Sequence, residues 1–370
     1  MSRTRLSPKV AVVGAGIVGC TVAWKIRRAL GFDVDLYERR DDILLETTAG
    51  TSNRFHRGYQ YALSDETART LRDDHHRFEA VYGPCVMASA NYYGIAADSR
   101  LSCLDYLRFC ARCRLPVRPE KPAGIFTGRV LLSLLSAEKS LDLDALRRLC
   151  RQTLEAHGVN LVFATATPAL LREYDYVVSA VYGNPNLLAD PARRDDHHFG
   201  LCEMMVVQLP DRYRGISAMI VYGQFMTVDV LRDTGYHVLY CGTHGAHRAN
   251  VGKFAEVPDA YRPLLYRATP AEQLGGLSRA ELALRAAATY FRGMREARHV
   301  ASTFVVRVQA PTDVANAVRR TSVREIGDGW FGISAAKISA CVTVADRTIS
   351  LLRQKETGRI FAASGQQIHG

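Results

Sequence analysis

The sequence predicts an α/β fold: a parallel sheet started at the N-terminus, interrupted by a β-rich insertion, and completed by the last strand and helix. Three observations carry this expectation. Residues 10–38 run from an apolar strand through a glycine-rich turn and a helix into a second strand that ends in an acid. Residues 141–181 add a helix and two strand-like runs, and residues 325–353 add a final strand and helix. The stretches between these blocks hold short β-like runs instead of a regular strand–helix alternation.

The opening unit reads VAVVGAGIVG, with Gly14, Gly16 and Gly19 in GxGxxG spacing and Ala15, Ile17 and Val18 between them. Gly14 permits the tight turn off the strand, and Gly16 lets a pyrophosphate approach the backbone. Gly19 lets the helix pack closely on the sheet, while the helix N-terminus faces phosphate charge. Glu38, followed by Arg39, closes the second strand, where a carboxylate accepts hydrogen bonds from a ribose diol. The motif alone is weak evidence. Placed between an apolar strand and an acid-ended strand, it predicts a Rossmann-type dinucleotide-binding unit.

Further along, residues 64–82 are expected to be helical, with Leu71, Phe78 and Val81 recurring near helical spacing. Residues 85–97 and 124–136 read as strands of a second sheet. A helix is expected over Leu141–His157, following Ser140 and stopping at Gly158. Strands follow over Val159–Ala164 and Tyr176–Val181, then over Met204–Gln208, Met219–Val221 and Tyr236–Gly242. Residues 258–296 read as helix interrupted by Gly275-Gly276, residues 300–309 and 329–334 as strands, and residues 337–353 as the last helix. The expected domains are a discontinuous nucleotide-binding one (1–84, 137–200, 325–370) and an inserted substrate-binding one (85–136, 201–324).

Forty-eight basic and 37 acidic residues give a net charge of +11 over 370 residues, in a chain that is 48% hydrophobic. The basic excess suits an anionic small molecule; no nucleic-acid module or basic run interleaved with aromatics accompanies it. No run of 18 apolar residues predicts a membrane span, and no apolar signal segment precedes the first strand, so a cytoplasmic protein is expected. The nine cysteines form no framework. Cys110 and Cys113 make a CxxC without the second pair a zinc site needs, so no metal is expected and the thiols are read as reduced.

Four blocks of the chain resemble the FAD-dependent D-amino-acid-oxidase-like (DAO) oxidoreductase superfamily, whose members oxidise amines, amino acids and 2-hydroxy acids. They are GAGIVG…DLYER; TTAGTSNRFHRGYQYALSDET; AEKSLDLDALRRLCRQTLEAHGVNLVFA with YDYVVSAVYGN; and RRTSVREIGDGWFGISAAKISACVTVADRTI. The resemblance implies FAD bound by a discontinuous GR2-like Rossmann domain with an inserted β-rich substrate domain. Two departures stand out. The segment TATPALLREYD is shorter than the meander usual there, and VYGQFMTVDV lacks a proline its relatives often carry, leaving Tyr222, Gln224 and Thr227 as substrate-wall candidates.

The resemblance also assigns residues. Thr51, Ser52 and Asn53 are expected at the phosphates and flavin edge, and Ala180, Gly332, Ile333 and Ile338 around the cofactor. Lys337, at the start of the final helix near Ala336, is expected beside the flavin's N1–C2=O edge, where positive charge stabilises reduced flavin. Alternation over Phe55–Tyr61 would place Tyr59 and Tyr61 on one face of an extended segment bordering the substrate. His56 is read as a base or a flavin attachment point, with local packing as its structural alternative. Arg307 and Arg320, with Arg54 third, are the candidates for gripping a substrate carboxylate.

The leading reading is oxidation of a C–N or C–O bond in a small anionic amine or amino acid, with oxygen or another acceptor reoxidising the cofactor. A 2-hydroxy-acid dehydrogenase using FAD, a non-redox flavin-binding subunit and an NAD-only dehydrogenase stay open, and a homodimer is allowed. Gly16→Val is expected to abolish cofactor binding by blocking pyrophosphate approach. Flavin absorbance per protein after reconstitution measures this, and undiminished stoichiometry would refute the assignment.

Overall fold

The computed structural model describes residues 7–231, 234–315, 318–335 and 337–366. Two compact units emerge. The first is drawn from Met1–Leu45, Arg147–Asp195 and Arg320–Gly370, the second from Glu46–Leu146 and Asp196–Arg319. Residues 46–84, expected with the nucleotide-binding domain, pack within the second unit.

In the first unit a six-stranded sheet runs in the order Ser322–Gly327, Trp330–Ser334, Tyr176–Ser179, Lys9–Val13, Asp33–Glu38, Asn160–Phe163. All neighbours are parallel except the Ser322–Gly327 and Trp330–Ser334 pair. The central strand Lys9–Val13 is therefore buried on both sides and needs the continuous apolar run VAVV. Helix Ile17–Leu30 packs beside it and ends at Gly31, which takes φ +70° as its left-handed cap. The last helix is Cys341–Gln366, preceded by a 3₁₀ turn over Ile338–Ala340, so it starts and ends later than expected. Ala336, the expected start, lies outside the described residues.

The second unit is built on a ten-stranded sheet in which Ile216–Val221 pairs parallel with Ala90–Ala96, and the other neighbours are antiparallel. One face is covered by Ala280–Ala287 and carries Tyr92, Ile220, Val228, Leu239 and Met205. The opposite face carries Tyr93, Met219, Tyr240, Met204 and Val305. Helix Asp65–Tyr82 matches its expected span because Ser64 caps it, accepting the Thr67 amide at 3.2 Å.

Residues 258–296 depart from the helix expected of them. Only Ala280–Ala287 is α-helical, with 3₁₀ turns over Asp259–Leu264 and Ala271–Gln273. Pro258, Pro263 and Pro270 break the backbone ladder, and Gly275 and Gly276 both take positive φ (56° and 82°). A helix over Cys103–Arg112 was not anticipated; Ser102 caps it by accepting the Asp105 amide at 3.1 Å. The nine cysteines carry no disulfide, and Cys110 and Cys113 are both buried. No helix among the described residues is long and apolar enough to cross a membrane.

The tightest packing requirement is at Gly19, where a Cβ would lie 1.8 Å from the Gly14 carbonyl oxygen. Gly19→Ala is expected to destabilise the first unit by about 3 kcal/mol, because backbone must move to admit one methyl. Denaturant titration checks this; a change below about 1 kcal/mol would show that the turn yields easily.

Candidate functional site

In the first unit, the chain leaves the Lys9–Val13 strand through Gly14 at φ +98°, a conformation that disfavours any side chain. The Gly14 amide donates to the Tyr37 carbonyl at 2.8 Å, and the Ala180 amide donates to the Val13 carbonyl at 2.8 Å, closing the sheet edge around the turn. Gly16 is the N-cap of helix Ile17–Leu30, with φ −68° and no side-chain cap. That backbone admits any residue, so the need for glycine there comes from what must approach it. Glu38 is buried; its Oε2 accepts the Ala15 amide at 2.9 Å and its Oε1 the Arg40 amide at 3.0 Å. A helix N-terminus capped by a residue with no side chain and a fixed carboxylate thus flank one turn. They suit a phosphate and a ribose diol respectively. Ile17 is buried, Val18 half-buried and Arg39 exposed. Gly332 lies in Trp330–Ser334, where a Cβ would meet Ile326 at 2.8 Å, and Ile333 beside it is buried. Lys337 and Ile338 stand at the 3₁₀ turn before the last helix.

In the second unit, the segment after Glu46 lies across one face of the large sheet. A Cβ on Gly50 would come within 2.6 Å of Val305, so the backbone touches the sheet there. Thr51 and Ser52 are half-buried, and the Asn53 carbonyl accepts the Leu141 amide at 2.7 Å. Arg54 and Phe55 pair with Ser140 and Lys139. The expected extension from Phe55 to Tyr61 does not form: the strand ends at Phe55, Gly58 takes φ +114°, and the Tyr61 amide closes a turn on the Gly58 carbonyl at 3.0 Å. Tyr59 and Tyr61 still share one apolar cluster with Tyr93, Tyr106 and Met219.

Arg54 is the centre of this face. Its guanidinium is fully buried, with Nε donating to Asp229 Oδ1 at 2.7 Å and Nη1 to Glu138 Oε2 at 3.2 Å. Glu138 also accepts the Tyr93 hydroxyl at 2.7 Å and the Arg57 amide at 2.8 Å, and His56 Nδ1 lies 3.8 Å away. Burial alone would push the Glu138 carboxyl up, but the hydrogen bond and charge of His56, then Arg54 and Tyr93, outweigh it and hold it at about 2. Two internal acids thus already grip Arg54, which removes it as a substrate-carboxylate anchor. Tyr59 is committed as well: its hydroxyl donates to the Pro116 carbonyl at 2.5 Å and accepts the Ala137 amide at 3.2 Å. The Tyr222 hydroxyl bridges the Gln60 carbonyl (3.0 Å) and the Leu63 amide (3.1 Å). Gln224 is exposed, and Thr227 is buried two residues before Asp229 on the same side of its strand.

Arg307 lies on this same face, its guanidinium carbon 4.2 Å from the centre of the Tyr240 ring and Nη2 3.3 Å from Met204 Sδ. Burial pushes the Tyr240 hydroxyl up to about 12, opposed by the Arg307 charge, so it stays protonated beneath the guanidinium. Arg320 is exposed and belongs to the first unit. Sequence reasoning missed the two acids on Arg54, although an acid inside the apolar run VYGQFMTVDV was a visible irregularity. It also missed Glu203 on the other face. That carboxylate accepts from His247 Nε2 (2.8 Å), Ser278 (2.5 Å), Ser302 (2.5 Å) and the Arg279 amide (3.0 Å), a fully satisfied knot with no acceptor capacity left over.

Helix Asp65–Tyr82 gathers His75, His76 and Glu79 in ligand-like proximity. Lys139 Nζ on Glu79 (2.5 Å) and Arg57 Nη2 on His76 (3.0 Å) already place two cations there, so a metal ion would meet like charge. Burial pushes the His75 imidazole down to about 4, against the attraction of Glu79 and with Arg57 reinforcing the shift. Its ring stacks on Phe55 at 4.0 Å. As pH falls from about 6.5 to about 4, the unfolded chain therefore binds a proton that the folded chain refuses, and stability drops. Glu138 adds a second loss between about 4.5 and about 2. The urea midpoint should fall through both windows, and His75→Phe should remove the upper one while keeping the stack. An unchanged upper slope in that variant would place the effect elsewhere.

Comparison with known proteins agrees with this geometry. Residues 9–186 match the family model described as DAO, FAD dependent oxidoreductase. Over 97 residues the chain is 33% identical to the FAD-dependent monooxygenase FPY4 of Fusarium mangiferae, a match spanning 26% of each protein. Glycine oxidase from Geobacillus kaustophilus has the same fold at 12% identity, with a TM-score of 0.66 over 94% of both chains. L-proline dehydrogenase from P. horikoshii superposes at 11% identity and TM-score 0.65, over 92% of this chain and 90% of that one. L-alpha-glycerophosphate oxidase from Mycoplasma pneumoniae, a structure with FAD bound, does so at 12% identity and TM-score 0.65, over 94% and 95%. Residues 9–186, just under half of the chain, thus match an FAD-dependent oxidoreductase domain of the DAO family, whose cofactor is FAD.

Proposed function

We propose that this enzyme oxidises a C–N bond of a small anionic amine or amino acid, with Arg307 gripping the substrate's carboxylate. The observation that carries the reading is the Arg307 guanidinium laid on the Tyr240 ring, on a sheet face otherwise lined by Met204, Val305 and Thr227. A planar cation backed by an aromatic ring presents its fork in one orientation, which suits a bidentate carboxylate. The fold shared with glycine oxidase and L-proline dehydrogenase supports an amino-acid substrate ahead of a 2-hydroxy acid.

The residues of the glycine turn fit the cofactor. Gly14, Ala15, Gly16, Ile17, Val18 and Gly19 would form the turn and helix N-terminus that hold its pyrophosphate, and Glu38, with Arg39 beside it, would hold its ribose. Ala180, Gly332, Ile333, Lys337 and Ile338 are proposed to complete the cofactor site, and Thr51, Ser52 and Asn53 are proposed as flavin-facing on the sequence resemblance. Bound FAD supplies the acceptor for the hydride that leaves the substrate carbon. The protein's own part is to hold that carbon in place and to exclude water. His56 against Glu138, and Tyr59 with its engaged hydroxyl, would fix the loop and not touch substrate. Tyr61 is left as a candidate near the substrate, and Arg320, exposed in the first unit, as a candidate on the sequence resemblance alone.

The purified protein should show flavin bands near about 370 and 450 nm, bleached anaerobically by a suitable amino acid. Arg307→Ala should raise KM for that substrate by about 10- to 100-fold and leave flavin content unchanged. Colourless protein that takes up no FAD would sink the reading, and an unmoved KM would sink the role of Arg307.

A further inference from the structure

We infer that the substrate carries two anionic groups, and that Arg319 binds the second. The inference deepens the proposed amine oxidation and rests on it for the chemistry, while the anion site itself stands on the geometry of the second unit.

Arg307 and Gln309 are two residues apart near the end of strand Arg298–Gln309, so their side chains leave the same face, roughly 7 Å apart along the strand. That face is the one carrying Cys202 and Met204, which pair in register across from Val305 and Thr303. The Gln309 side-chain oxygen accepts a hydrogen bond from Arg319 Nη1. Arg319 is thereby seated one same-face position beyond Arg307.

Both guanidiniums have an aromatic ring beside them. Arg307 lies 4.2 Å from the centre of the Tyr240 ring, and Arg319 lies 5.9 Å from that of Tyr61. The backbone of Arg319 is tethered, its amide donating to Thr67 Oγ1 at 3.3 Å, and Nη1 also reaches the Val318 carbonyl at 3.0 Å. These acceptors are a carboxamide, a hydroxyl and a carbonyl, all neutral. Among the described residues no carboxylate pairs with Arg319, whereas Arg54 in the same unit meets two. A half-buried guanidinium with neutral partners has lost solvation without gaining a counter-charge, and a ligand carboxylate would restore the balance.

A short dicarboxylic acid fits two cations at this spacing. For an amino dicarboxylic acid, Arg307 would take the carboxylate next to the oxidised carbon and Arg319 the distal one. The net charge of +11 favours approach of such a dianion.

Calorimetric titration of the full-length protein, its flavin content recorded, tests this with succinate, glutarate, butyrate and 3-phosphonopropionate. Succinate or glutarate is expected to bind at least about tenfold more tightly than butyrate. Arg319→Ala should erase that preference and leave butyrate binding unchanged, and Arg319→Lys should keep part of it. Arg319→Gln, which keeps an N–H donor but no charge, should behave like the alanine variant and guards against a folding defect. Equal binding of mono- and diacids, or a preference that survives loss of Arg319, overturns the inference. Tightest binding of the phosphonate overturns the dicarboxylate assignment. A colourless protein that still prefers diacids through Arg319 would remove the oxidation reading and leave this site standing. A flavoprotein bleached equally by mono- and diacidic amino acids would do the reverse.

Discussion

Arg54 carries a positive charge into the interior of the second unit and meets Asp229 and Glu138 there, all three side chains buried. Bringing these charges together is costly unless every one is met, and removing a single partner from such a group costs about 3–5 kcal/mol. The contacts bind segments remote in sequence: the loop at 54, the strand end at 138, and the sheet strand at 229. Once Arg54 is seated, the short pairing with Lys139 and Ser140 follows, and Tyr93 is drawn to the same carboxylate. The path of the 46–61 segment over the sheet is a consequence of that one insertion. Gly50 against Val305 marks one end of the path and Tyr59 beside Tyr93 the other.

This arrangement divides the face of the sheet by charge. Around Arg54 the positive charge is answered internally, and the polar groups serve to hold the loop. Around Arg307 and Arg319 the nearby groups are an aromatic ring, a thioether, a carboxamide and another aromatic ring. The first region is structural, and the second is where a ligand anion is proposed to bind. Arginines alike in sequence thus take opposite roles because of what folds beside them.

The glycine turn was legible in the sequence because backbone geometry itself demands it. Gly14 needs its positive φ, and Gly19 has no room for a methyl group. Helix Asp65–Tyr82 was legible for a similarly local reason, a serine cap followed by apolar residues at helical spacing. Periodicity misled over residues 258–296, where apolar residues recur but three prolines and a pair of glycines decide the backbone. The partners of Arg54 could not be read at all. They lie 84 and 175 positions away; Asp229 stands out as an acid inside an apolar run, but nothing local ties it or Glu138 to Arg54. Tyr59 looked available because its hydroxyl is chemically competent; its commitment to Pro116 and Ala137 arises only when distant strands meet.

Glu38 has a last consequence. Two backbone amides hold its buried carboxylate in position before any nucleotide arrives. An unmodified sugar diol can donate to it with little loss of side-chain freedom. A ribose bearing a phosphate ester would instead bring a second negative charge against a carboxylate that cannot swing away and is shielded from solvent. If Glu38 takes the sugar diol as proposed, the same anchored side chain would also act as a filter, turning away phosphorylated nicotinamide dinucleotides without any residue devoted to excluding them.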